Sequence, residues 1–241
     1  MDLDLVDVEW VDGERNGFRR GGLASVSEVA FEAARPVRRF SSYRGQRHFT
    51  GWYWAATTES LVGFESWLER DRAMLLDADR RVVGLSSQPF RLTWPDGRRD
   101  VSHTPDYFAR LEGGSGLVVD VRPADRMEPR DAEKFSATEA MCQAVGWSYQ
   151  LAHEPDPVLL SNVRWLAGYR HPRYRVTEVS RRLLDAFAEP AGLAATAELV
   201  GDLVAVLPVL YHLVWCGDLR IEWSTPLGDG SLVSAAVVGH G

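Results

Sequence analysis

The sequence is short of cysteine, of lysine and of long apolar runs. Cys142 and Cys216 are its two cysteines, too few and too far apart for a disulfide framework or a cysteine zinc site, which points to a cytoplasmic protein. Lys134 is the single lysine and every other formal cation is arginine. That bias singles out one side chain without assigning it a role. No apolar run approaches the roughly 18 residues of a membrane span, and the acidic start MDLDLVDVEW is not a signal peptide. A net charge of −7 excludes a protein that coats nucleic acid through a uniformly basic surface. It leaves room for one whose arginines line a single groove. There is no internal repeat and no low-complexity segment.

What is present is ordinary core material. The chain is 45% hydrophobic with nine tryptophans in 241 residues, enough for one large or two small domains. Charge is unevenly spread. Residues 1–13 carry Asp2, Asp4, Asp7, Glu9 and Asp12, and their alternating Leu3, Leu5, Val6, Val8 and Trp10 read as an edge strand or as a solvated acidic tail. The sign then flips. Arg38, Arg39, Arg44 and Arg47 stand among aromatics and small polar residues, a mixture that suits phosphate contact and base stacking. The plain alternative is an extended arm with solvated arginines. The expected division is 1–48 for this acidic and Arg-rich start, 49–172 for a central domain and 173–241 for a C-terminal domain.

The centre of the chain is residues 101–123. They read as a hairpin, with one arm over 101–111, a Glu112-Gly-Gly-Ser-Gly116 turn, and a second arm over 117–121. Such a hairpin brings Asp106 and Asp120 together on neighbouring strands. Two half-buried carboxylates repel each other and need a cation between them. A hard divalent ion is the natural one, Mg²⁺ first. Pro105-Asp106 followed by Asp120-Val121-Arg122 has the order of the PD-(D/E)xK nuclease signature, with Arg122 where lysine is usual. Upstream, the apolar spacing predicts a helix over 60–77, with Glu65 and Glu69 one turn apart on one flank. Strands follow over 81–90 and 91–94. Downstream, a helix over 131–145 stops at Gly146, and a strand over 147–151 lies parallel to the second arm through a right-handed crossover. A helix over 158–169 precedes a linker over 171–175. The remainder predicts helices over 179–188, 194–200 and 202–215, with Pro208 kinking the last, and two strands. That is the layout of a winged helix-turn-helix.

Taken together and in order, Phe64-Glu-Ser-Trp-Leu-Glu-Arg-Asp71, Gln88-Pro89, His103-Thr-Pro-Asp106, Val119-Asp-Val-Arg-Pro123 and Asn162-Val-Arg-Trp-Leu166 resemble TnsA, the endonuclease subunit of heteromeric cut-and-paste transposases. The resemblance spans roughly residues 35–240, most firmly 60–170. It implies an α/β protein: a restriction-endonuclease-like mixed sheet flanked by helices, followed by a small winged-helix domain. It implies nicking of double-stranded DNA at the 5′ ends of an element, with a separate DDE-type transposase cutting the 3′ ends and an ATPase regulator joining the two.

Carried over by motif, Glu69, Asp106 and Asp120 are the catalytic carboxylates. In such a site Asp106 and Asp120 hold Mg²⁺, or Mn²⁺ as a substitute, with the Val121 carbonyl as a further ligand and Glu69 supporting a second metal or a water. Arg122 departs from the family lysine. It keeps the charge and grips phosphate, but it cannot act as a base. Auxiliary candidates are Gln88 on phosphate or water, Glu65, Lys134 reaching back from its helix, and His103. Strand alternation puts His103 on the face opposite Asp106, as a structural or phosphate-contacting residue. Two other readings remain: a non-catalytic nuclease fold acting as a DNA-binding or assembly subunit, and a stand-alone nuclease in defence or repair. In the C-terminal domain Arg220 is the single basic residue across 193–241, among several acids. That domain is therefore expected to dock a partner protein, by resemblance the ATPase regulator, and not DNA.

Overall fold

Alternation decides the first strand. Val6 and Val8 are buried while Asp7 and Glu9 are only partly so, and β1 (Asp7–Val11) pairs on both sides. Its neighbours are β2 (Phe18–Gly22) and β6 (Phe90–Pro95); β7 (Asp100–His103) completes an antiparallel sheet in the order β2-β1-β6-β7. The acidic start is thus neither a tail nor an edge strand. The computed structural model describes residues 3–13, 17–40, 49–97 and 99–236, so Arg44 and Arg47 of the Arg-rich segment lie outside the described residues. The chain divides into two units, Met1–Glu154 and Pro155–Gly241.

The second sheet of the first unit has the order β10-β9-β8-β5. It is built from β5 (Val82–Ser87), β8 (Tyr107–Leu111), β9 (Gly116–Val121) and β10 (Ser148–Ala152). β8 and β9 form the expected hairpin, and β10 runs parallel to β9 through the helix α3 (Pro129–Ala144). The first arm does not run unbroken from 101 to 111. Pro105 lacks an amide hydrogen and restricts the residue before it. The chain leaves β7 at His103, turns through Thr104–Asp106, and enters a different sheet at Tyr107.

The helix expected over 60–77 is also divided. Ser60–Phe64 is β4, paired with β3 (Gly51–Ala55), and the helix α2 spans Trp67–Ala78. Ser66 is its N-cap: its hydroxyl accepts from the Glu69 amide at 3.1 Å. The Glu69 carboxylate answers by accepting from the Glu65 amide at 2.7 Å and the Ser66 hydroxyl at 2.9 Å. This Ser-x-x-Glu capping box stops strand and helix from fusing.

Two cores sandwich the second sheet. On one face Phe108 and Val118 pack with Val8, Phe31, Phe90, Leu92, Met141 and Trp147, which joins the first sheet and α3 to it. On the other face Tyr107, Ala109, Val119 and Val121 pack with Tyr53, Val62, Phe64, Ala73 and Leu76, from the β3–β4 hairpin and α2. A buried carboxylate, Asp77, holds this hairpin to α2. It accepts from the Tyr53 hydroxyl at 2.7 Å and from the Ala56 and Thr57 amides at 3.0 and 2.8 Å.

The second unit holds α4 (Pro157–Leu166), α5 (Thr177–Ala186), α6 (Leu193–Val200) and α7 (Leu203–Trp215), with Pro208 inside the last. Three short strands follow the order β11-β13-β12 (Ala191–Gly192, Leu232–Ala235, Leu219–Arg220). The buried Asn162 side chain ties α4 to the loop before β13. It donates to the Trp223 and Thr225 carbonyls at 3.0 and 2.7 Å and accepts from the Leu227 amide at 3.0 Å. Among the described residues no single helix is long and apolar enough to cross a membrane.

Candidate active site

The site grows from the end of the β8–β9 ladder. That ladder stops at Tyr107 opposite Val119. Beyond it the Val121 amide has lost its strand partner, and the Asp106 carboxylate takes its place, accepting at 2.7 Å. The Val121 backbone is therefore engaged first through its N–H, whereas the expectation named its carbonyl as a ligand. Asp106 is also held through its own carbonyl, which accepts from the Gln88 amide at 2.8 Å. Burial, then the neighbouring Glu69 and Asp120 carboxylates, push the Asp106 carboxyl well above the usual range; the Val121 hydrogen bond and Arg122 only partly oppose them. Glu69 is raised as well, by burial first.

Asp120 sits in β9, on the face shared with Phe108 and Val118, so it looks into the layer of α3. There it is enclosed. His103 Nε2 lies 3.0 and 2.8 Å from its two oxygens, and the Tyr149 hydroxyl donates at 2.9 Å. Burial and the Asp120 charge raise the Tyr149 phenol. His103, expected on the face opposite Asp106 as a structural or phosphate-contacting residue, pairs with the other carboxylate, Asp120. The count of faces that placed it assumed one continuous strand, and the turn at Thr104–Asp106 breaks that strand. The phenol of Tyr149 is the partner that sequence reasoning missed. Its register opposite Val118 in β10 puts it on the Asp120 face, a signal that needs the parallel pairing to be read.

Arg122 is exposed, and its guanidinium carbon lies 5.8 Å from the centroid of the Phe135 ring on α3. Lys134 is turned to Asp131 on its own helix, 3.6 Å away, and lines a cleft with Asp100 and Ser102. Arg110, an alternative partner for the aspartates, instead binds Glu32 and the Gly114 and Val29 carbonyls.

Glu65 is not on a helix flank with Glu69. It precedes the N-cap, where Arg38 Nη1 donates to it at 2.9 Å, with Nη2 on its other oxygen, and Gln88 Nε2 donates at 3.1 Å. Gln88 has a φ of +47°, in the left-handed region that side chains other than glycine seldom occupy. Its side chain is buried, and its Oε1 has no hydrogen-bond partner. A buried carbonyl oxygen left so costs about 1–3 kcal/mol unless a ligand or water completes it. Among the described residues no three His, Cys, Asp or Glu side chains are already gathered around one metal-sized point.

No protein-family model and no curated protein matches this chain. Its reading rests on the site itself.

Proposed function

We propose that the Met1–Glu154 unit is a Mg²⁺-dependent DNA endonuclease of restriction-endonuclease-like fold, resembling TnsA. It would nick the 5′ ends of a transposable element by phosphodiester hydrolysis, beside a DDE-type transposase. The observation that carries this reading is the Asp106 carboxyl: set at a strand end, raised by burial first and then by the neighbouring Glu69 and Asp120, it stands where a cation would relieve the repulsion. The orphaned Gln88 Oε1 fits the same reading, because carboxylate and amide oxygens are the donors a hard divalent ion takes. Asp106, Glu69 and Gln88 would hold the ion, with Asp120 joining them as His103 and Tyr149 give way. When bound, such an ion lowers the pKa of a water and stabilises charge growing on phosphate. The protein's own groups do the rest. Arg122 supplies a permanent positive charge for the scissile phosphate, and Arg38 and Arg39 supply others along the approach.

We read the Pro155–Gly241 unit as winged-helix-like and as the contact for the ATPase regulator. Leu199 and Val204 are 81% and 83% exposed at the α6–α7 corner, beside acidic Glu198 and Asp202, a surface that suits protein and repels phosphate.

A second reading has an observation of its own. Asp120 is already satisfied by His103 and Tyr149, and Glu69 by the capping box. A nuclease fold retired to DNA binding and assembly would look like this. Cleavage separates the two. Labelled element ends with the partner transposase should be nicked in Mg²⁺ or Mn²⁺ by the wild type, leaving 5′-phosphate and 3′-hydroxyl, and not by Asp106→Ala. No metal-dependent nicking by the wild type selects the assembly reading; equal nicking by the variant rejects the assigned site.

A further inference from the structure

A groove next to the carboxylates has a composition that neither the metal site nor the fold requires. It encloses about 810 Å³ and is lined by Arg35, Arg38, Arg39, Phe18, Phe40 and Trp52, with small and aliphatic residues completing it and, among the described residues, no carboxylate in its walls. In a chain of net charge −7, three arginines and three aromatic rings around one opening form a local exception.

The groove is built, not left over. Its floor is the segment Arg35–Val37, pinned at both ends: the Arg35 amide donates to the Val11 carbonyl at 3.1 Å and the Val37 amide to the Gln88 carbonyl at 3.0 Å. One wall is β3, where Trp52 lies opposite Gly63 of β4. The Phe40 ring packs over Gly63, at 2.1 Å from where a Cβ would stand, so only glycine admits it. Phe40 in turn meets Trp52 edge to face with centroids 5.0 Å apart. Alternation turns Trp52 away from the core: it is 53% exposed, and Phe18 is 74% exposed. Large rings held at the surface are costly to leave wet, and the groove supplies the positive charge to pair them with. Arg38 is shared, since it lines the groove and also binds Glu65.

We propose that this groove binds a short unpaired stretch of DNA, its bases stacking on Trp52 and Phe18 and its phosphates meeting Arg39 and, at its shared edge, Arg38. Stacking platforms flanked by cations are how proteins hold single strands; a duplex keeps its base faces covered and offers them nothing. The volume suits a few nucleotides and not a double helix. The choice of DNA rests on the nuclease reading; the groove's chemistry does not. A strand seated there is linked to Glu69 by two contacts, Arg38 on the Glu65 carboxylate and the Glu65 amide on Glu69, so the preferred substrate is a cut site with an unpaired flank.

The test separates the two readings by measuring binding of the full chain without metal, in EDTA, by fluorescence anisotropy. The probes are a 12-nucleotide oligo(dT), an abasic strand of equal length and a duplex of equal length. Oligo(dT) should bind most tightly. Trp52→Ala should weaken it about tenfold and leave the abasic strand unchanged; Trp52→Phe should retain most of the affinity; Arg39→Ala should weaken both strands. Phe18→Ala serves as a second stacking variant, and both rings are exposed enough to truncate without touching the core. Equal affinity for oligo(dT) and the abasic strand, a duplex bound as tightly, or no effect of either truncation overturns the proposal. A protein that binds oligo(dT) as described but never nicks DNA would lose the nuclease reading and keep the groove.

Discussion

Replacing Asp106 by asparagine removes one negative charge and keeps an acceptor for the Val121 amide. In the wild type the Asp106 carboxyl is raised by burial and by two neighbouring carboxylates, so the folded state resists its ionisation. The unfolded chain ionises near the ordinary value of 3.8. Above that pH the unfolded state holds fewer protons than the folded one, and stability falls as pH rises until the folded-state value is passed. Each unit of upward shift costs about 1.4 kcal/mol. Asp106→Asn escapes this loss. It should be more stable than wild type at pH 7.5, with the gap shrinking toward pH 4. Asp106→Ala should gain less or lose, because the Val121 amide, in a residue only 4% exposed, is left without its partner at about 1–3 kcal/mol. Urea unfolding at several pH values, followed through the transition of the Met1–Glu154 unit, measures all three. A saturating metal should reverse the order: at a hundred times its Kd, Mn²⁺ adds about 2.7 kcal/mol to the wild type and little to the asparagine variant. An asparagine variant less stable than wild type throughout, or a gap that does not widen with pH, would refute the account of Asp106 as a strained charge.

Three other outcomes follow from the geometry. Ser66→Ala removes the N-cap of α2 and one partner of Glu69; it should cost about 1 kcal/mol, seen as earlier thermal unfolding, and Ser66→Thr, which keeps both acceptor and donor, should restore most of it. Tyr149→Phe takes one hydrogen bond from the buried Asp120 carboxylate and should cost about 1.5–3 kcal/mol in urea unfolding; a neutral result would show that Asp120 is held by His103 alone. Asn162→Ala leaves the Leu227 amide and two carbonyls without the side chain that joins them; it should cost about 2–4 kcal/mol and speed hydrogen exchange at Leu227.

The helix start shows why parts of the fold were legible and others were not. Ser66-x-x-Glu69 is written in the chain and marks the N-terminus of α2, but Leu61, Val62 and Phe64 also fit a helical spacing. Periodicity alone fuses the two. Pairing with β3, where Gly51 and Gly63 make room for the Phe64 and Phe40 rings, separates them. The same holds at Pro105. Its place before Asp106 flagged a site, yet counting faces along one unbroken strand did not reveal what His103 meets. Two sheets meeting at that turn bring it within 2.8 Å of Asp120.

The sequence by itself determined the β8–β9 hairpin, the parallel return of β10 through α3, and the helices and short strands that follow residue 176, because these follow from turn residues, apolar period and helix stops within a few tens of residues. It also marked Asp106, Asp120 and Glu69. What they face was decided by tertiary structure. Whether a carboxylate is ligand, cap or buried partner depends on groups from distant strands: Tyr149 and His103 around Asp120, Arg38 and Gln88 around Glu65, the Val121 amide on Asp106. The left-handed turn at Gln88 belongs to the same class. No local pattern demands it; the Val37 amide on its carbonyl, its own amide on the Asp106 carbonyl and its side chain on Glu65 hold it in place.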